Sequence, residues 1–313
     1  MTTAHPPSKW VGVLEELRSY AFKGDSRYQL APTKTNPQVQ RYHRTAPVAK
    51  SEFDSHQGRH FKDFFSRITQ TEGFGQHIDR SIPGYATHRA ALAMGVAAQF
   101  PQGHTLDVGA SEGQWGKAIH HLAPEHTVVH LDPNPDMLTN NVHEEGEKVA
   151  AAWHEGWTED DGTEVPAYQS KKPADVVGMH MVRQFVTTDT DGWYGEVKKH
   201  LKPGGLFLYS AKVSPEPHPE GQEEWDHQER RKDKYKSKSF SKEAMTAKAA
   251  EVIEGMRRLQ IPHSVEMEAL HKHFEHVEPI WESHNFRGYV ASDHPEAAKR
   301  FADTYRATKK EVE

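Results

Sequence analysis

Between residues 104 and 210, apolar runs of strand length alternate with stretches of helical spacing. Residues 104–109, 127–132, 149–154, 174–181 and 206–210 read as strands, short and bounded by glycine, proline or polar residues. Between them, residues 114–122, a segment starting at Pro135, and residues 187–201 repeat their apolar positions at helical spacing. In the last of these, Trp193, Tyr194, Val197 and Leu201 share one face, and Lys202–Pro–Gly–Gly205 then makes a sharp turn. Strands alternating with helices predict an α/β domain with a mostly parallel sheet and right-handed crossovers. Further on, His276–Trp281 and Arg287–Ser292 are separated by a short turn and predict an antiparallel hairpin that closes the sheet.

The flanks read differently. Residues 1–9 form a tail, and Trp10, Val13, Leu14, Leu17 and Tyr20 predict an amphipathic helix over 9–21. Residues 23–50, with Pro32, Pro37 and Pro47, predict an extended arm, and Phe53, Phe61, Phe64, Phe65 and Ile68 a helix near 51–70. Pro83–Gly84 is a turn, followed by an apolar helical run from Ala90 to Phe100. Residues 157–173 are a polar insertion, and 214–258 are charged and helical. The expected organisation is an N-terminal arm over 1–74, a core domain over 75–293 that contains the 214–258 insertion, and a C-terminal helix over 294–313.

Composition narrows the partners. The chain has 313 residues, is 35% hydrophobic, carries a net charge of −6 and has no cysteine. Disulfides, thiolate metal sites and a cysteine nucleophile are excluded, which fits an intracellular protein. No segment approaches a membrane span, and the N-terminus lacks a basic region followed by an apolar one, so a cytoplasmic location is expected. The negative charge argues against a nucleic-acid partner. The one basic run, Arg230–Lys238, is flanked by acids and reads first as a solvated helix face, with RNA contact as the sharper alternative. A small-molecule substrate is expected, and the N-terminal aromatics offer a face for a homodimer. His271, His273, His276 and His284 crowd together in sequence, but in a chain with 23 histidines chance explains this, and no metal site is expected.

The chemistry concentrates in Thr105–Leu–Asp–Val–Gly–Ala–Ser–Glu–Gly–Gln–Trp–Gly116. Gly109 and Gly113 permit backbone angles that a Cβ forbids and let a ligand approach the main chain. Amides at the start of the following helix would face that ligand. Asp132 ends the next strand, 25 residues after Asp107, close to where a βαβ unit sets a carboxylate on a ribose. A glycine-rich turn alone fits a ligand-free connection equally well; the acid favours a nucleoside. Gly109, Asp132, the 154–158 region and His180 all fall at strand ends, where open α/β sheets bind ligands.

The spacing Asp107-x-Gly-x-Ser-x-Gly113 resembles motif I of S-adenosylmethionine-dependent methyltransferases, with Ser111 at the usual middle glycine. The set Arg80–Ser–Ile–Pro–Gly–Tyr85, Asp107–Ser111, Leu131–Asp132, Gln184–Phe185, Leu201–Gly205 and Phe274–Glu–His276 resembles, in order and spacing, the carboxy-S-adenosylmethionine synthase family. That family belongs to tRNA wobble-uridine modification and makes its product from S-adenosylmethionine and prephenate. The resemblance implies a Rossmann-like class I methyltransferase fold with a seven-stranded sheet and S-adenosylmethionine, or its carboxylated derivative, as cofactor. It implies that Tyr85 touches the ligand, that Gly109, Ala110 and Ser111 line its methionine part, and that Asp132 and Pro133 hold the ribose and adenine edge. His180 falls at the family's ligand-binding asparagine, and Gly156 and Trp157 near its adenine-side acid. The family arginine that binds the extra carboxylate aligns with Ala249, beside Lys248 and with Arg257 further along. Alanine cannot replace a bidentate guanidinium.

Three functions follow as expectations. The first is a methyltransferase acting on a small or medium-sized substrate with plain S-adenosylmethionine, with His180 as the candidate catalytic base. The second is a carboxy-S-adenosylmethionine synthase-like enzyme. The third is a non-catalytic scaffold that keeps the cofactor fold.

Overall fold

The computed structural model describes residues 28–32, 40–44 and 73–310, apart from 155, 159–161, 171, 186–189, 215, 217, 239, 243–244 and 246–261. The expected helices over 9–21 and 51–70 lie outside the described residues. Within the expected arm, β1 (Tyr28–Pro32) and β2 (Gln40–Arg44) pair antiparallel.

The rest of the chain is built on one seven-stranded sheet. After α1 (Phe74–Ser81) and α2 (Tyr85–Gln99) come β3 (His104–Val108), α3 (Gln114–Leu122), β4 (Thr127–Asp132), α4 (Pro135–Thr139) and β5 (Glu147–Ala150). A small antiparallel pair, β6 (Trp157–Thr158) and β7 (Glu164–Val165), occupies the polar insertion. The sheet resumes with β8 (Ala174–His180), α5 (Thr190–His200) and β9 (Leu201–Lys212). It closes through α6 (Pro219–Lys236), α7 (His263–His273), β10 (His276–Ser283), β11 (Phe286–Ser292) and α8 (Pro295–Lys310).

Strand order is β10-β11-β9-β8-β3-β4-β5. β5, β4, β3, β8 and β9 run parallel, and β11 and β10 are antiparallel, which is the expected fold class and the expected hairpin. The order reverses between β3 and β8, so the tips of β3, β4 and β8 border a crevice of the kind that holds ligands in such sheets.

Both faces of the sheet are covered, so the central strands read as continuous apolar runs rather than alternating ones. One layer holds Leu92 and Val96 of α2, Ile119 of α3 and Phe301 of α8, with Val176 and Leu208 of the sheet. The other holds Tyr194 and Val197 of α5, Leu270 of α7 and Phe274 just after it, with Leu106, Val177 and Phe207. Each such side chain, fully buried, contributes about 1.5–3 kcal/mol. Gly95 lets α8 approach α2: a Cβ there would sit 2.6 Å from the Phe301 ring.

The structure moves some boundaries. β9 begins at Leu201, because Leu201 pairs with Ala174 and the Pro–Gly–Gly turn becomes an irregularity in the β8–β9 ladder, with Gly204 at φ 76°. The expected strand over 149–154 is shifted to 147–150; Ala152 instead bridges Ala167. Among the described residues of 214–258, the helix spans 219–236. No helix of the described residues is long and apolar enough to cross a membrane.

Candidate functional site

The turn from β3 to α3 is set by three left-handed residues. Gly109, Ser111 and Gly113 take φ of 66°, 53° and 72°. Ser111 pays a steric cost there that a glycine would not. Gly109 is fixed by crowding as well: a Cβ would lie 2.3 Å from Val182 Cγ2. The amides of the turn are bonded internally. Gly109 and Ala110 donate to Leu131 O at 2.7 and 3.0 Å, and Gly113 donates to Ala110 O at 2.9 Å. These three amides are therefore taken up within the turn; the amides at the start of α3, which the sequence expects to face a ligand, are a separate set. Ser111 Oγ is buried without a hydrogen-bond partner.

Asp132 closes the turn from the neighbouring strand. Its carboxylate accepts from Ser111 N at 3.0 Å and from Asn134 N at 2.9 Å. Burial raises its pKa to about 6, against the lowering effect of those two donors. Two donors leave a carboxylate with further acceptor positions. Pro133 follows, half-buried, before the Asn134 cap of α4. Asp107, buried one strand over, accepts from His130 Nδ1 at 3.0 Å. That bond ties Asp107 into the sheet's own polar chain.

The tip of β8 carries His180. Its Nδ1 is 2.9 Å from Ser210 Oγ, and its Nε2 is buried without a partner. Burial lowers its pKa to about 4, so the ring is neutral at pH 7. The Trp115 ring stands edge-on at 4.6 Å, and the His88 ring at 6.3 Å. Gly178 admits Trp115, since a Cβ would meet its ring at 2.1 Å. His88 stacks on Trp281 at 4.2 Å and bonds Tyr305 Oη at 2.7 Å. Tyr85 opens α2 beside this group, its ring 6.1 Å from His88 and its phenol pushed up by burial. Arg89 lies 5.6 Å from the Tyr85 ring and is clamped by Asp79 through bonds of 3.0 and 2.8 Å. The Pro83–Gly84 turn thus delivers Tyr85 into a buried aromatic cluster.

The structure brings Tyr85, Asp107, the Gly109–Gly113 turn, Asp132 and His180 into one neighbourhood; the Asp107 charge reaches both Tyr85 and His180. Gly156 is different. It packs against the backbone of residues 165–167 beside β6 and β7, a separate sheet from the strand tips. Trp157 forms part of β6. Of the four histidines weighed as a metal cluster, His276 opens β10, His284 lies just past its other end, and His273 bonds Asp191 at 2.7 Å. Ala249, Lys248 and Arg257 lie outside the described residues.

Sequence reasoning missed Glu112, His88 and Trp115. Glu112 accepts from Phe74 N and Gly75 N at 2.8 and 3.0 Å, capping α1 and tying it to the glycine turn. Its place inside the glycine-rich stretch was a usable signal. His88 sits one helical turn from Tyr85, a second signal.

A family model described as a methyltransferase domain matches residues 106–207. No curated protein matches the chain. Among solved structures, the chain is similar to a possible exported protein from Bordetella parapertussis at 12% identity, covering 92% of this chain and 96% of that one, with TM-score 0.51. It is also similar to human N-acetylserotonin methyltransferase in complex with SAM, at 10% identity, 88% and 82% coverage and TM-score 0.46. An O-methyltransferase family protein from Burkholderia thailandensis matches at 11% identity and TM-score 0.44; 74% of this chain spans 58% of that one.

Proposed function

We propose that this chain, an S-adenosylmethionine-dependent methyltransferase by the domain it carries over residues 106–207, transfers the methyl group to a small or medium-sized acceptor. The observation that carries the reading is the pairing of Asp132 with Ser111. A buried carboxylate with acceptor capacity to spare stands beside a buried hydroxyl that has no partner. Buried polar atoms without partners cost stability unless something satisfies them. A ribose diol suits the first and the polar amino-acid end of the donor the second.

In this reading Asp132 and Pro133 hold the nucleoside, and Gly109, Ala110 and Ser111 line the amino-acid end. Gly113 sets the entry to α3, and Tyr85 lies against the bound donor. Gly156 and Trp157 are assigned to the adenine side. The bound donor supplies an electrophilic methyl on a sulfonium. The chain's own work is to align an acceptor and exclude water, and the aromatic walls of Trp115, Tyr85 and Trp281 supply the dry surroundings. His180 is better suited to positioning than to proton storage. A pKa of about 4 makes it a weak base at pH 7, while its neutral ring keeps one nitrogen for an acceptor hydroxyl.

A donor with an additional carboxylate would require a cation at the rim. Among the described residues, Lys212 at the tip of β9 is already paired with Glu229 at 3.2 Å. The test is calorimetric titration with S-adenosylmethionine, together with mass spectrometry of any nucleoside that copurifies. Micromolar binding and a plain donor support the reading. A carboxylated nucleoside would transfer the assignment to the synthase-like alternative, and no binding of either donor would leave a scaffold.

A further inference from the structure

The loop between α4 and β5 is laid against the glycine turn: Val142 N donates to Glu112 O at 2.8 Å. It carries His143, which is 2% exposed. His143 Nδ1 lies 2.8 Å from His130 Nε2, and His130 Nδ1 lies 3.0 Å from Asp107 Oδ2. The space for this pair of rings is built in. A Cβ at Gly116 would sit 2.3 Å from His130, and one at Gly146 would sit 2.7 Å from both rings.

The chain of bonds fixes the protons. An ionised Asp107 can only accept, so His130 carries its proton on Nδ1 and presents a lone pair at Nε2. His143 must then donate from Nδ1. With the proton on Nδ1, the lone pair of the neutral ring is on Nε2. That nitrogen is buried and has no hydrogen-bond partner. Glu145 Oε2 stands 4.0 Å from it, and the His120 ring lies 5.1 Å from the His143 ring.

We propose that His120, His143 and Glu145 bind one divalent transition-metal ion of the zinc class. Their ligand atoms lie within 4.8 Å of one another. Ligands at about 2.1 Å in tetrahedral array stand about 3.4 Å apart, so the group must contract by an ångström or so. Glu145, 65% exposed, is free to supply that movement. Two imidazoles and a carboxylate are a set that zinc accepts, with water in the fourth position. A ligating histidine characteristically donates its second nitrogen to an outer partner, and His143 does so through His130 to Asp107. The opposing charges are Lys117 and Lys148. Lys148 is engaged with the carbonyls of His143, Glu144 and Gly146 at 2.8, 3.3 and 3.2 Å. Metal bound there would pin the 140–146 loop and, through His130, the Asp107 carboxylate at the end of β3.

The test uses the full chain stripped with chelator and titrated with zinc chloride, and with cobalt(II) read by its visible absorption. Wild type should take up one tight equivalent above the weak background of a histidine-rich chain, and its melting temperature should rise with added zinc. His120→Ala and Glu145→Ala should each weaken that equivalent at least tenfold and abolish the melting shift. Neither side chain makes a hydrogen bond among the described residues, so the metal-free melting temperature should stay as in wild type. His271→Ala/His273→Ala should leave the tight equivalent intact. Unchanged affinity in the first two variants, or loss of the equivalent in the control, would overturn the proposal.

Discussion

Asp132 makes ligand binding depend on pH in a way that can be calculated. The carboxyl is buried and its pKa rises from 3.8 to about 6. A carboxyl with a raised folded pKa binds more protons folded than unfolded between those values. Stability therefore falls as pH rises through that window. At about 1.4 kcal/mol per pH unit, keeping Asp132 ionised at pH 7 costs the ligand-free fold about 3 kcal/mol. Ribose hydroxyls donating to the carboxylate favour the ionised form and return its pKa toward 4, so binding releases a proton as pH falls below 7. If the ligand-free pKa is about 6, some nine-tenths of the protein is ionised at pH 7 and one-tenth at pH 5. The dissociation constant for S-adenosylmethionine should then rise about tenfold from pH 7 to pH 5, or about 1.4 kcal/mol. Calorimetry in two buffers of different ionisation enthalpy measures both the affinity and the proton count. Asp132→Asn removes the titrating group: affinity should drop about 10- to 100-fold at pH 7, as expected for losing hydrogen bonds to a charged acceptor, and its own pH profile should be flat. The variant isolates the part of the pH dependence that belongs to Asp132. A wild-type affinity constant within twofold from pH 5 to pH 7, or an Asp132→Asn protein with the same slope, would refute the reasoning.

Other perturbations have equally definite outcomes. Gly109→Ala meets both a left-handed backbone and a contact of 2.3 Å with Val182, and should lose at least about 2 kcal/mol in urea unfolding; adding Val182→Ala should restore the contact part only. Glu266, pushed up to about 7 by burial, accepts from Tyr194 Oη and from Tyr209 Oη. Its ionisation destabilises the fold as pH rises through 4.5 to 7, so Glu266→Gln should be more stable than wild type at pH 8 by up to about 3 kcal/mol and nearly equal at pH 4.5, measured by denaturant midpoints. Tyr305→Phe leaves the buried His88 Nδ1 without its 2.7 Å partner and should cost about 1–3 kcal/mol in thermal unfolding. His180→Asn keeps a polar group beside Ser210 and should retain donor affinity within a few-fold, whereas kcat should fall more than KM changes; equal loss in donor affinity would make His180 a donor ligand instead.

The alternation of runs was enough to predict a parallel sheet with a closing hairpin, because strands buried on both faces must be apolar throughout and their connections must be helical. Gly109, Ser111, Gly113 and Asp132 were legible for a similar reason: turns that demand left-handed backbone and a strand-end acid leave a trace in local spacing. Boundaries such as the start of β9 were not legible, since pairing with Ala174 decides them from 27 residues away. Nor could the sequence join His88 of α2 to Trp281 of β10, Glu112 to the amides of α1, or His130 to His143 and Asp107. Those contacts depend on which elements meet, and on glycines whose missing side chains make room. Local spacing fixes the conformation of a turn, but hydrogen-bond partners and pKa values are set by neighbours distant in the chain. The choice of strand order therefore decided that His88, His130 and His143 are buried and which groups they meet.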